Sequence, residues 1–193
     1  MPKFYPSSSS KEREALLQEL RSNLGEWKRH ILGNERARFW LERAGGLSTL
    51  LIREVNGGWP YADVNGKPLE FPKLDHWRSE DPPVNPGELC RSVTTDDECW
   101  LFTCECSVHA CGGINSGILV AHDEGLTIWR SPECPDVPLA VFDQQHYRDV
   151  IISAVKILLR EPLPDSGLAW TMGVSPKYLR SALNRARAGK SWF

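Results

Sequence analysis

Apolar residues recur at helical spacing in two segments near the start of the chain. The first segment carries Leu16, Leu17, Leu20, Leu24, Trp27 and Ile31 at steps of three and four residues. This spacing predicts a helix with one apolar face, and Ser9 with Glu12 three residues later has the spacing of a capping box. A second, shorter helix is predicted to include Phe39, Trp40 and Leu41 and to end at Gly45-Gly46.

The middle of the chain changes to patterns that are typical of strands. Residues 47–55 are rich in β-branched and apolar side chains, and the turns Asn56-Gly57-Gly58 and Asn65-Gly66 follow. These turns predict a meander of three antiparallel strands that ends near residue 71. Residues 72–98 contain several prolines and acids, so we expect a surface loop or a crossing connection, held to the body by Leu74, Trp77 and Leu89.

A second group of strands is predicted at residues 99–106, 117–122 and 126–130. A proline-spaced segment, 131–138, then leads to a helix. That helix has an apolar face formed by Tyr147, Val150, Ile151, Ala154, Val155 and Leu158, and Pro162 and Pro164 end it. The order of elements predicts an α+β fold with N-terminal helices, a central antiparallel sheet of about five to six strands and C-terminal helices. We expect a flexible leader at 1–10, an α+β domain at 11–161 and a small helical extension at 162–193.

Composition excludes several classes of protein. The chain has 193 residues, 23 Lys and Arg against 25 Asp and Glu, and a net charge of −2, which does not fit a uniformly basic nucleic-acid coat. Eight Trp, six Phe and four Tyr argue against disorder. No apolar run reaches the roughly 18 residues of a membrane span, and the N-terminus lacks the apolar region of a secretory signal. We therefore expect a cytoplasmic protein without a membrane partner.

The cysteines form a cluster with metal-ligand chemistry. Cys104, Cys106 and Cys111 lie across a predicted hairpin whose loop contains His109. Residues two apart on a strand share a face, so these four side chains, with His122 as another candidate, could hold one structural zinc ion. Alternatively, they are reduced structural thiols and no cofactor is bound. A nucleophilic Cys–His pair is a third option, but the chain has no GxSxG, HExxH or Gly-rich phosphate loop, so we predict no catalytic activity.

Part of the chain resembles a group of small bacterial proteins. They carry a CxC…CGG hairpin, a strand with a Val-x-Trp pattern and a closing helix with Phe and Tyr. The matching residues here are Cys104, Cys106, Cys111, Gly112, Gly113, Ile128, Trp129, Phe142 and Tyr147. The likeness covers about a quarter of the chain, and the motif is of modest specificity. The resemblance implies a bacterial or phage origin and an α+β domain, and it implies no reaction.

The C-terminal segment is similar to a helix-turn-helix. Leu168, Ala169 and Met172 would pack a first helix, Gly173 would permit the turn, and Ser175 and Pro176 would start a second helix. Leu179, Ala182 and Leu183 would face inward. The candidate nucleic-acid-binding residues on the other side are Lys177, Arg180, Ser181, Asn184, Arg185 and Arg187. Five basic residues and no acid follow Asp165, so this tail has a charge of +5 and the preceding chain −7. Such asymmetry favours phosphate contact. However, a helix that only packs against the body would also favour basic residues near its C-terminus.

Three functions remain open from the sequence. The first is a bacterial or phage protein-binding factor, of the inhibitor or immunity type, whose acidic surface would occupy a basic partner. Its candidate partner-binding residues are Asp75, Glu80, Asp81, Asp96, Asp97 and Glu98. The second is a helix-turn-helix DNA-binding regulator that uses the basic tail. The third is a zinc-binding protein of undefined chemistry.

Overall fold

The computed structural model describes residues 34–55, 59–68, 83–103, 116–159 and 175–190. Within these ranges the chain forms four helices and seven strands. The helices are α1 (Glu35–Ala44), α2 (Pro86–Ser92), α3 (Gln144–Leu158) and α4 (Pro176–Ala188). The strands are β1 (Leu50–Val55), β2 (Trp59–Val64), β3 (Lys67–Pro68), β4 (Glu98–Cys99), β5 (Ile118–Asp123), β6 (Leu126–Ser131) and β7 (Cys134–Asp143).

The α+β class is confirmed, but the described strands form two sheets and not one. They form a three-stranded sheet, β1-β2-β3, and a four-stranded sheet, β4-β5-β6-β7, and both are antiparallel. Each sheet therefore has fewer strands than the single sheet of five to six that the sequence predicts. The predicted meander is confirmed in β1, β2 and β3, where Asn65 and Gly66 turn the chain with positive φ angles of 55° and 78°. Positive φ at both central residues is the requirement of a type I′ hairpin turn.

Two other sequence predictions need correction. Residues 83–98, predicted to be irregular, include the helix α2, which begins after the cap residue Asn85 and has Pro86 in its first turn. The second part of the proline-spaced segment 131–138 belongs to the ten-residue strand β7. β7 lies at the edge of its sheet and its first four residues are exposed, so prolines are tolerated there.

The four-stranded sheet is covered on both faces. Leu126, Ile128 and Val141 pack against α1, while Trp129 and Phe142 point to the opposite face. This division follows the alternation of side chains along a strand. On the second face, α2, α3 and α4 join residues of both sheets in one apolar cluster.

The predicted helices that precede and follow the strands are confirmed. α1 ends at Gly45, whose φ is 71°, as the Gly45-Gly46 pair predicts. α3 buries Tyr147, Ile151 and Leu158 on the predicted apolar face. Among the described helices, none has the length and apolar character needed to cross a membrane. The predicted first helix, the leader at 1–10 and the helix before Gly173 lie outside the described residues.

Candidate functional site

Helix α4 presents a basic surface in a fixed orientation. Its N-cap, Ser175, accepts a hydrogen bond from the backbone N–H of Tyr178 at 3.2 Å, and Gly189 ends it with a φ of 62°. The apolar face of the helix is buried at Leu179, Ala182, Leu183 and Ala186. It packs against α2 and α3, so the helix cannot rotate without exposing these side chains.

The six candidate nucleic-acid-binding residues all lie on the exposed side of α4. They are Lys177, Arg180, Ser181, Asn184, Arg185 and Arg187, which we call the basic face. Their exposure confirms the predicted division of the helix into an inner and an outer side. Lys177, Arg180, Ser181 and Asn184 are spaced at i, i+3, i+4 and i+7, so they form one stripe along the helix. No acidic residue occurs in α4.

The C-terminal end of α4 is hydrogen-bonded to two other parts of the chain. The guanidinium group of Arg148, on α3, donates a hydrogen bond to the backbone carbonyl of Arg187. The hydroxyl of Thr94 donates to the carbonyl of Lys190 at 3.2 Å. The Arg187 carbonyl lies in the last turn and lacks a partner within the helix, so Arg148 satisfies a group that would otherwise depend on water, while Thr94 holds the residue that follows Gly189.

The described acids of the predicted partner-binding surface make bonds within the chain. Asp96 Oδ1 accepts from the backbone N–H of His122 at 2.8 Å and lies 2.6 Å from its ring Nδ1. Asp97 Oδ2 lies 3.1 Å from Nη1 of Arg91, and Glu98 Oε1 accepts from the N–H of Gly117 at 2.6 Å. These bonds give the acids a structural role, and partner binding through them stays a prediction. Asp75, Glu80 and Asp81 lie outside the described residues.

Arg91 is the centre of the loop that carries Asp96, Asp97 and Glu98, which we call the acidic loop, and its position in the sequence gives no signal of this role. Its side chain, only 15% exposed, contacts the carboxylates of Glu88 and Asp97 and donates to the carbonyl of Glu98. Glu88 also accepts the backbone N–H of Trp100 at 3.0 Å. This mostly buried guanidinium organises the loop, because Nε, Nη1 and Nη2 are each directed to a fixed oxygen.

The predicted metal ligands Cys104, Cys106, His109 and Cys111 lie outside the described residues, so the zinc hypothesis stays a prediction. Across the described ranges, no group of three or more His, Cys, Asp or Glu side chains is arranged to hold a metal ion. The other candidate ligand, His122, lies on β5 with its ring Nδ1 against Asp96.

Two described cysteines have the properties of structural thiols. Cys90 and Cys99 are completely buried, and burial raises the pKa of each thiol to about 12. At neutral pH such thiols are protonated and therefore poor nucleophiles. Cys134, at the start of β7, is exposed. Cys90 and Cys99 therefore act as small apolar residues of the core, and the hypotheses for Cys104, Cys106 and Cys111 stay predictions.

Four residues of the motif that resembles small bacterial proteins lie in the core. Trp129 makes edge-to-face contacts with Phe142 and Tyr147, at ring-centre distances of 4.9 and 5.8 Å. Ile128 lies on the opposite face of the sheet against α1. The aromatic part of that motif therefore stabilises the packing of α3 on the sheet. No protein-family model, curated protein or solved structure matches the chain.

Proposed function

We propose that the protein binds double-stranded DNA through the basic face of α4. The observation that carries the proposal is a well-capped helix whose apolar side is buried and whose exposed side holds four cations, a serine and an asparagine. Lys and Arg neutralise phosphates, and Asn and Ser can bond to base edges in the major groove. A helix of 13 residues, about 20 Å long, has the size to enter that groove.

The packing of α4 favours a recognition role over a simple structural one. Its inner side, at Leu179, Ala182 and Leu183, packs into the core. Lys177 and Arg180, one helical turn apart on the stripe, repel each other and so cost electrostatic free energy. A DNA ligand would remove this repulsion because its phosphates neutralise the cations.

The proposal also specifies which end of α4 makes contact. The acidic loop lies next to the C-terminal end, since Thr94 bonds to the carbonyl of Lys190 and Asp96 follows two residues later. DNA phosphates would be repelled there. We therefore place the contact on the first three turns, at Lys177, Arg180 and Asn184, which matches helix-turn-helix proteins whose second helix reads bases with its N-terminal part.

The salt dependence of DNA binding tests this proposal. Fluorescence anisotropy with a random-sequence duplex of about 20 base pairs, two helical turns, gives the affinity over a range of salt concentrations. We expect the logarithm of the affinity to fall linearly with the logarithm of salt concentration. The variant Lys177→Ala/Arg180→Ala removes two cations without harming helix propensity, so the slope should decrease by about 1.8.

The control is Lys156→Ala, which removes an exposed cation from α3. It should leave both the affinity and the slope unchanged. The proposal is wrong if no duplex binding occurs at low salt, or if the control weakens binding as much as the double variant does.

A protein-binding function is the second candidate, and one observation favours it. The loop at residues 96–98 is held in place by Arg91 and His122, yet the side chains of Asp96 and Asp97 remain 62% and 51% exposed. Fixed acidic groups on a surface can select a basic partner at little cost in conformational entropy. Co-purification from the native host tests this: a stoichiometric partner that is lost with Asp96→Asn supports an inhibitor or immunity-type factor.

A further inference from the structure

An open cavity of about 870 Å³ lies beside the C-terminal end of α4. Its walls come from four segments: residues 93–97, the end of β5 with the turn at Gly125, the first turns of α3, and Gly189 after α4. This volume is within the range of roughly 300–1,000 Å³ that is typical of small-molecule sites. The polar side chains of its walls show which ligand it would accept.

One wall provides a carboxylate. Asp96 uses Oδ1 for both of its bonds to His122, and no bond to its Oδ2 occurs within the described part of the chain. The side chain is 62% exposed and lines the cavity. Because His122 fixes one carboxylate oxygen, the other is held in place for a cationic or hydroxyl group of a ligand.

A second wall provides a guanidinium group. Arg148 lines the cavity from α3 and uses Nη2 for the carbonyl of Arg187. A guanidinium has five N–H donors, so most of them remain for an anionic ligand group. Gln144, one helical turn earlier, lines the same cavity and adds a neutral amide.

Two buried polar atoms of cavity-lining residues are unsatisfied. Thr95 Oγ1 and His122 Nε2 are inaccessible to solvent and have no hydrogen-bond partner among the residues that the structure describes. Thr95 is only 5% exposed. Buried polar atoms are nearly always bonded, so a small adjustment of the walls that exposed these two atoms would let a polar group of a ligand pair with them.

We propose that the cavity binds a small zwitterion with a primary ammonium group and a carboxylate, the chemistry of a free amino acid or a short peptide. The ammonium group would contact Asp96 and the carboxylate would contact Arg148. A ligand with only a negative charge would face Asp96 and Asp97, whereas one with only a positive charge would face Arg148. A ligand that carries both charges satisfies both walls. This inference does not depend on DNA binding.

Occupation of the cavity should also stabilise the end of α4. Arg148 and Thr94 line the cavity and are the residues whose side chains bond the carbonyls of Arg187 and Lys190. A bound carboxylate would hold the Arg148 guanidinium in place. The amide of Gly189 should then exchange more slowly with solvent.

An NMR titration of the whole chain tests the proposal. The probes are the proteinogenic L-amino acids as one panel and unblocked dipeptides as another. Comparison of the two panels shows whether the ligand is a free amino acid or a short peptide. We expect saturable shifts of the backbone amides of Gly125, Gln144 and Gly189 with members of one panel. The N-acetyl and the carboxamide derivatives of the same compound, which each remove one charge, should bind about tenfold more weakly or worse.

The variants Asp96→Asn and Arg148→Gln should each weaken binding by about tenfold or more. Asn keeps an acceptor oxygen for His122, and thermal unfolding of both variants verifies that they are folded. The matched controls, Asp136→Asn and Lys156→Gln, neutralise exposed charges outside the cavity and should bind normally. The proposal is overturned if no probe from either panel causes saturable shifts, if both blocked derivatives bind equally well, or if the folded cavity variants bind like the controls.

Discussion

Replacement of Tyr147 by phenylalanine removes one buried hydroxyl group, and we expect it to cost about 2 kcal/mol of stability. The Tyr147 side chain is completely buried where α3 packs on the four-stranded sheet. Its hydroxyl lies 2.6 Å from Ser92 Oγ and accepts a hydrogen bond from Trp129 Nε1 at 3.1 Å. It therefore connects α2, α3 and β6.

The direction of each bond in this network follows from donor chemistry. An indole N–H can only donate, so Trp129 donates to the Tyr147 hydroxyl. Ser92 donates its hydroxyl to the carbonyl of Leu89 at 2.7 Å. Tyr147 must therefore donate to Ser92, and the chain runs from Trp129 through Tyr147 and Ser92 to Leu89.

The magnitude follows from which groups lose a partner. In Tyr147→Phe, the indole N–H of Trp129 is left buried without an acceptor, which costs about 1–3 kcal/mol. Ser92 keeps the bond that it donates to Leu89 and loses only the hydrogen bond that its oxygen accepts from Tyr147. The aromatic contacts of the ring with Trp129 and Phe142 are retained. We therefore expect about 2 kcal/mol, well below the 3–5 kcal/mol that a large-to-small core substitution costs.

Urea unfolding with linear extrapolation measures this change. With a denaturant dependence of about 2 kcal/mol per M urea, the midpoint should decrease by about 1 M. The control is Tyr178→Phe on α4, where the ring is only half-buried and water can replace a lost partner. A double-mutant cycle with Ser92→Ala should give a coupling free energy of at least about 0.5 kcal/mol. A loss below about 0.5 kcal/mol, or strict additivity with Ser92→Ala, would refute the network.

Three further predictions concern the sheet, a helix cap and pH. Gly117→Ala should destabilise the protein by about 1–3 kcal/mol in urea unfolding, because the added Cβ would lie 2.7 Å from the carbonyl oxygen of Cys99; an unchanged midpoint would contradict this. Ser175→Ala should cost about 1 kcal/mol and increase amide exchange in the first turn of α4, because the N–H of Tyr178 loses its cap; unchanged exchange there would contradict the cap. Burial lowers the pKa of His146 below its usual range. The unfolded state therefore binds a proton first as the pH falls, so stability should decrease from about pH 7 to pH 5, and His146→Gln should reduce this decrease. An equal decrease in the variant would show that other groups cause it.

The sequence predicted the elements whose patterns are local. The alternating strands and the Asn65-Gly66 turn of the meander, the apolar face of α3, and the Ser175 cap of α4 each depend on residues only a few positions apart. The outward orientation of the basic face was predictable for the same reason, because helical spacing fixes which residues share a side. The helix α2 was missed, since prolines in its neighbourhood indicate a loop while Asn85 and Pro86 are also good helix-starting residues.

The bonds of the site could not be predicted in the same way. Asp96, His122 and Arg148 have no distinctive spacing, and they meet at the cavity only because a loop, a strand and a helix come together, while Arg91 bonds Asp97 beside them. The cavity has the same origin. The sequence suggested His122 as a metal ligand and Asp96 as a partner-binding residue, but patterns of this kind use short separations along the chain and could not show that both residues line a cavity with Arg148.

The amino-acid sequence by itself determined the α+β class, the helix caps, the hairpin turns and the inner and outer sides of α4. These properties depend on backbone preferences and on the periodic burial of apolar side chains, both of which act over a few residues. Tertiary structure alone decided the division of the strands into two sheets, the directed network at Tyr147 and the polar cavity beside Gly189. These features depend on contacts between residues tens of positions apart, and only the packing of whole elements brings such residues within bonding distance.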